Sequence, residues 1–245
     1  MNEGLVLIPT YNEKENAELI VRAVMALPRA FDVLVIDDGS PDGTAAIVRG
    51  LLGEFAGRLH LEERPGKQGL GTAYIFGFRW ALARDYRFVF EMDADFSHNP
   101  HDLLRLHDAC AVDGYDLAIG SRYIQGVNVV NWPMSRVLLS YFASWYVRLV
   151  TGMPIRDATA GFKCYTAKVL QTIELNNIHF VGYAFQIEMK WLAYQFGFRI
   201  KEVPIIFTDR TRGHSKMSKN IVREAFLGVL QMKIDSWWRP AQPAA

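Results

Sequence analysis

The chain carries Asp93-Ala94-Asp95 directly after an alternating apolar run, Phe88, Phe90 and Met92. Apolar residues at every second position read as a short buried strand, and such a strand delivers both carboxylates at its C-terminal end. Two carboxylates one residue apart make a hard, all-oxygen site suited to Mg²⁺ or Mn²⁺. A divalent ion held there neutralises a diphosphate, so the natural guest is a nucleotide-activated donor. A lone Asp-x-Asp also reads as a solvated acidic turn, and the rest of the chain must decide between the two.

Cationic side chains form the second group. Arg122 ends a strand pattern and Arg136 opens a helix pattern, while Arg210, Arg212, His214, Lys216 and Lys219 crowd one polar loop. Guanidinium suits phosphate oxygens as a fork and ammonium as a point charge. Alone, such a loop is a solvated basic surface; facing an acidic metal site it is a phosphate grip. The glycine-rich segment Gly66–Thr72 has no P-loop spacing and no following GK[ST]. It reads as a turn that needs glycine at positive φ and feeds a scaffold helix packing Tyr74, Phe78 and Trp80, with Lys67 and Gly71 as minor contributors. No Ser-His-Asp or Cys-His arrangement is apparent, and His98, His107 and His179 read as surface or packing residues.

Alternating strand and helix patterns position these groups. Strands are expected over Leu5–Ile8, Phe31–Ile36, Arg58–Glu62, Phe88–Met92 and Tyr115–Gly120. Helices fall over Glu13–Ala26 (capped by Asn12), Thr44–Phe55, Gln68–Ala83 and His101–Ala111. This order specifies an α/β fold, a Rossmann-like, mostly parallel sheet with helices on both faces. Such sheets bind ligands at the C-terminal strand ends. There the chain places Pro9-Thr10-Tyr11-Asn12-Glu13, then Asp37-Asp38, then Asp93 and Asp95, then Arg122. Four polar strand ends point to a common site.

Composition sets bounds. The 245 residues are half hydrophobic and 13% aromatic, enough for the core of a single domain over residues 1–239, with 240–245 as a disordered tail. A net charge of +1 gives no global field for nucleic acid. Cys110 and Cys164 are far apart without metal spacing and read as reduced packing residues of an intracellular protein. The N-terminus lacks a basic n-region, and no run reaches the ~20 apolar residues that cross a bilayer.

Segments Ser135–Val150 and Asn220–Trp238 stand out as amphipathic. In the first, Arg136, Ser140, Ser144 and Arg148 form a narrow polar stripe against a broad apolar face that includes Tyr141, Phe142 and Trp145. It reads either as a membrane-interface helix or as a nearly buried core helix. The second ends with Trp237-Trp238-Arg239, residues that suit a headgroup belt.

The motifs PTYNE, VIDDGSPDGT, GKQGLGTAYIFGFRWA, EMDADFSHNP, GSRY and DRTRGHSK resemble, in order, those of family 2 glycosyltransferases of the GT-A fold. The resemblance spans roughly Leu5 to Phe226. It is most similar to the polyprenol-phosphate (dolichol-phosphate) mannose synthases, through the DGSPDGT, GLGTAY and DADFSHNP segments. It implies mannose transfer from GDP-mannose to a polyprenyl monophosphate, with inversion and with Mg²⁺ or Mn²⁺. It further implies that Pro9, Tyr11, Glu13, Ile36 and Asp38 surround the guanosine, that Asp93 and the Ala94 backbone meet the nucleotide-sugar, and that Asp95 is the main metal ligand beside Asp93. Arg210 and Lys216 then hold the donor diphosphate, and Arg122 and Arg136 the acceptor phosphate. Ser97 stands where some family members carry a glutamine ligand, so the metal set departs from the family there. The acceptor oxygen is already ionised near neutral pH and needs no dedicated base. Some relatives append transmembrane helices; this chain is expected to be cytoplasmic and peripherally membrane-associated, or to borrow an anchoring subunit. Competing readings are a transferase that uses UDP-glucose or another nucleotide sugar, and a non-catalytic nucleotide-sugar or lipid-binding subunit. A dinucleotide oxidoreductase is disfavoured because no GxGxxG follows the first strand.

Overall fold

The computed structural model describes residues 2–210 and 219–238. At its centre lie seven strands: β1 (Gly4–Thr10), β2 (Asp32–Asp37), β3 (Leu59–Glu63), β4 (Phe88–Glu91), β5 (Leu117–Ser121), and, beyond the short β6 (Val129–Val130), β7 (Lys163–Thr166) and β8 (Ile200–Pro204). Their spatial order is β3-β2-β1-β4-β7-β5-β8. β1 pairs in parallel with β2 and β4, β2 with β3, and β5 with β8. Only β7 is reversed, antiparallel to both β4 and β5. The expected mostly parallel sheet is present, with one inserted strand that no local pattern announces. β6 pairs separately with β9 (Phe207–Thr208).

Parallel strands require crossovers, and these cover both sheet faces. Side-chain alternation divides the interior accordingly. Leu5, Leu7, Leu34 and Ile36 pack on one face with Tyr74 and Phe78 of α3 (Leu70–Leu82). Val6, Ile8, Val33 and Val35 pack on the other with Ile20 and Val24 of α1 (Ala17–Met25), Val48 of α2 (Thr44–Leu51) and Leu106 of α4 (Asp102–Ala111). Burying each such side chain contributes about 1.5–3 kcal/mol, so the C-terminal strand edge rests on a stiff support. The close seat of α3 on β1 depends on Gly77, where a Cβ would come within 2.7 Å of Leu7.

One expected cap is corrected. Asn12 does not open the first helix: it sits in a turn at φ 56°, and the helix begins at Ala17 behind Asn16. The Glu13 carbonyl accepts from the amides of Asn16 and Ala17 instead, so residues 13–16 form a tight turn that belongs to the site.

The helix expected over 135–150 is α5 (Met134–Thr151), and it meets α8 (Lys219–Trp238). Tyr146 stacks on Phe226 at 4.3 Å and donates its hydroxyl to the Phe226 carbonyl at 3.0 Å. The polar stripe does not face water as a unit. Ser144 is buried alongside Val147 and Thr151, whereas Leu138, Leu139, Tyr141, Phe142, Trp145 and Leu149 are exposed. Small residues let α5 lie close to the protein body, and Thr151 satisfies its hydroxyl on the Val147 carbonyl at 2.6 Å. The core-helix reading is thereby overturned. α8 extends the apolar surface with Phe226, Leu227, Leu230 and Ile234. Among the described residues, no helix is long and apolar enough to cross a membrane.

Candidate active site

β4 leads through Met92 into Asp93, Ala94 and Asp95. The Asp95 carboxylate is buried, accepting from the Ser97 amide at 3.0 Å and from the Arg210 guanidinium at 2.9 Å. Phe96 between them has φ 60°, a conformation that non-glycine residues adopt only where their surroundings impose it. This bend turns the Ser97 amide back onto Asp95. His98 stacks on Phe162 at 4.7 Å, and its Nδ1 accepts from the Asp93 amide at 3.4 Å. Burial pushes its imidazole down to about 4, so it stays neutral. His107 packs among Phe31, Phe88 and Phe90, and the largely exposed His179 ring lies against Glu188. All three histidines are packing or surface groups.

The two carboxylates are electrostatically unlike. Burial, then the neighbouring Asp95 charge, pushes Asp93 up to about 7. Burial also acts to raise Asp95, but hydrogen bonds from Ser97 and the Arg210 charge outweigh it and hold Asp95 below the ordinary carboxylate range. Among the described residues, no group of three or more His, Cys, Asp or Glu side chains converges as a metal cage. Two carboxylates fit a hard ion that completes its shell with water and ligand oxygens, as Mg²⁺ and Mn²⁺ do at phosphate sites. Ser97 offers a hydroxyl where a carboxamide ligand was absent from the sequence.

On the neighbouring strand ends, two loops are stitched together. The successive amides of Asn12, Glu13 and Lys14 donate to Ser40 Oγ, Thr44 Oγ1 and Asp42 Oδ2. Asp37 is structural, accepting from Thr10, the Ser40 amide and the Ser40 hydroxyl. Pro9 lies beside Ile36 in the β1–β2 register. Ile36 turns its side chain into the core, so a ligand can reach only its backbone. Tyr11 is partly exposed, with the Lys67 ammonium 5.3 Å above its ring. Glu13 is buried and accepts from Asn16 at 3.0 Å. Asp38 is engaged by Arg64 at 2.6 Å, and Arg64 also donates to Thr72 of α3.

The arginines form a relay on the other side. Arg122 leaves β5 buried, with a two-pronged grip on Asp157 at 2.7 and 2.6 Å and a bond to Thr159 at 2.8 Å. Arg136, in the first turn of α5, pairs with Asp209 at 2.8 Å. Asp209 is adjacent in sequence to Arg210, the residue on Asp95. The structure therefore brings Asp93, Ala94, Asp95, Arg136 and Arg210 into one connected region. Arg212, His214 and Lys216 lie outside the described residues, and Lys219 opens α8.

The sequence pattern of "Glycosyl transferase family 2" matches residues 5–174. The chain belongs to that family. It is also 48% identical over 230 residues to the polyprenol monophosphomannose synthase of Mycolicibacterium smegmatis, covering 94% of this chain and 86% of the relative. It is 45% identical to the undecaprenyl-phosphate mannosyltransferase of Micrococcus luteus, covering 96% and 95%. In fold it matches glucosyl-3-phosphoglycerate synthase of Mycobacterium tuberculosis, solved with Mn²⁺, UDP and glucosyl-3-phosphoglycerate. That match has a TM-score of 0.66 and 16% identity, and covers 94% of this chain and 79% of the other. The fold is thus the GT-A fold, and the protein is a glycosyltransferase.

Within this family 2 glycosyltransferase, three residues at the site escaped the sequence reading. Arg64, Asp157 and Asp209 each neutralise a partner from a distant element, separated from it by 26, 35 and 73 positions. Asp209 is the first residue of the DRTRGHSK motif and so carried a signal, without a role; Arg64 and Asp157 fall in none of the motifs.

Proposed function

We propose that this glycosyltransferase moves mannose from GDP-mannose to a polyprenyl monophosphate, with inversion. The observation that carries this reading is the relay Asp95–Arg210, Asp209–Arg136, which couples a donor-side carboxylate to an acceptor-side arginine through adjacent residues. The two mannosyltransferases at 45–48% identity support the choice of sugar and lipid. Residues 1–239 serve as one functional unit in this reading.

Pro9, Tyr11, Glu13 and Asp38 surround the guanosine, through a stacking face and carboxylate acceptors, with Ile36 contributing backbone. Asp93 and the Ala94 backbone meet the nucleotide-sugar, and Arg210 and Lys216 hold its diphosphate. Asp95, with Asp93, holds a divalent ion. When bound, that ion supplies positive charge beside the departing diphosphate. Arg122 and Arg136 orient the acceptor phosphate so that one ionised oxygen faces the anomeric carbon. The new bond forms between that oxygen and the carbon while the bond to the diphosphate breaks. The leaving electron pair settles on the diphosphate, stabilised by Arg210 and Lys216. No side chain needs to remove a proton, in keeping with the neutral, buried His98.

The exposed apolar faces of α5 and α8 dock on a membrane interface, where the acceptor lipid resides. This makes the protein a peripheral one acting at the cytoplasmic face. An anchoring subunit is an alternative means of reaching the same lipid.

A transfer assay tests the reading directly. Detergent-dispersed polyprenyl phosphate and Mn²⁺ or Mg²⁺ are incubated with labelled GDP-mannose, UDP-glucose or UDP-GlcNAc. Label entering an acid-labile lipid only from GDP-mannose is the expected result. Transfer from a UDP-sugar would overturn the donor, and absence of transfer with intact GDP binding would favour a non-catalytic subunit.

A further inference from the structure

Trp132 sits between β6 and α5, in the sequence Asn131-Trp132-Pro133. Its position is narrowly defined. Asn131 is left-handed at φ 63°, and Pro133 opens α5 at φ −59°, which confines the residue before it to extended backbone. The Arg136 guanidinium lies 4.1 Å from the Trp132 ring centroid, and that of Arg122 lies 5.4 Å from it. Phe207 meets the same ring edge-on at 5.1 Å and also lies 5.6 Å from the Arg122 guanidinium. Each guanidinium is ion-paired as well, Arg122 with Asp157 and Arg136 with Asp209, and the electron-rich indole ring adds a contact common to both. The indole Nε1, meanwhile, is buried and has no hydrogen-bond partner among the described residues. Buried tryptophan N–H groups ordinarily have a partner, and leaving one unmet costs about 1–3 kcal/mol.

These observations share one explanation. We propose that Trp132 is a third member of the acceptor-phosphate grip: its ring holds Arg122 and Arg136 at a fixed spacing, and its indole N–H donates to an oxygen of the phosphate they clasp. The proposal rests on the reading of those two arginines given above. It assigns the unmet donor to the ligand that two adjacent guanidinium groups attract. It also accounts for the rigid Asn-Trp-Pro placement of an aromatic residue outside both hydrophobic cores.

Two substitutions and one spectroscopic readout test it. Trp132→Phe keeps an aromatic face but loses the pyrrole ring with its N–H, whereas Trp132→Leu loses the aromatic face as well. With detergent-dispersed polyprenyl phosphate, Trp132→Phe is expected to raise the acceptor KM about tenfold, with donor KM unchanged and the fold retained. Trp132→Leu should raise acceptor KM further, matching Arg136→Ala. In wild-type protein labelled with ¹⁵N-tryptophan, the indole resonance missing from Trp132→Phe should shift downfield with a short-chain prenyl phosphate and stay in place with the uncharged prenol. That readout needs no variant kinetics, so it stands even where Trp132→Leu fails to fold. A wild-type acceptor KM in Trp132→Phe, or an indole signal indifferent to the phosphate, overturns the proposal. If Arg136→Ala also leaves acceptor KM untouched, the arginine assignment fails with it. If wild-type enzyme makes no lipid product at all, the functional reading itself is at fault.

Discussion

Arg210 reaches Asp95 at 2.9 Å, so a residue expected on the donor diphosphate is already paired with the carboxylate expected on the metal. In the proposed reading the two roles are compatible, because a divalent ion would neutralise Asp95 and leave the Arg210 guanidinium to the diphosphate. Asp95→Ala removes the carboxylate while leaving the sheet core intact. Transfer should fall by about 10³-fold or more, the loss of a few kcal/mol of charge stabilisation, with an unchanged circular dichroism spectrum. Undiminished turnover would remove Asp95 from the site.

Asp93 gives a pH signature. Its folded-state value is raised to about 7, so between the ordinary carboxylate range and 7 the native state keeps a proton that the unfolded chain has released. Stability from this group is full at low pH and is lost as pH rises through that window. Without divalent ion, melting temperature should fall from pH 4.5 to 7.5 more steeply for wild type than for Asp93→Asn. Metal affinity should climb up to about pH 7 and then level, because binding must displace that proton. Parallel melting curves for the two proteins would contradict the assignment.

Asp157 is fully buried and holds Arg122 through both carboxylate oxygens and the backbone amide. Asp157→Ala removes the two-pronged buried carboxylate from the Arg122 guanidinium, a loss that costs about 3–5 kcal/mol. Thermal unfolding should drop by roughly 10 °C in a chain of this size. A shift of a degree or two would mean that Arg122 finds another partner.

Phe142 and Trp145 are 58% and 52% exposed. Replacing both by Ser removes interfacial apolar surface without opening a core cavity. Co-sedimentation with vesicles should weaken at least about tenfold while the melting temperature holds. Loss of the fold instead would return α5 to the interior.

The sequence made the place of the DxD turn legible because strand, acidic pair and family motifs coincide over a few adjacent residues. Strand-end geometry likewise placed Pro9, Asp38 and Arg122 on one edge. What stayed hidden depends on distant partners. Lys163 is a buried cation in a strand, tolerable only beside Glu91 and Gln186 of other elements. Nothing local to Lys163-Cys164-Tyr165-Thr166 announces such a strand. Periodicity found the helix, expected over 135–150, but left its facing open between interface and core; Ser144 and Thr151, small enough to turn inward, leave the aromatic residues outward. Asn12 looked like a cap, yet its left-handed backbone serves a turn that positions Glu13.

The reversed strand β7 also dictates an order of assembly. β1 to β4 are emitted consecutively and can pair at once, but β4 borders β7, whose residues emerge some seventy positions later. Until Lys163–Thr166 arrives, the strand that bears the acidic turn presents an open edge and an unneutralised Glu91. The chain up to β4 therefore holds the strand that bears the acidic turn without one of its two neighbours, and the sheet becomes continuous only once β7 joins β4 to β5.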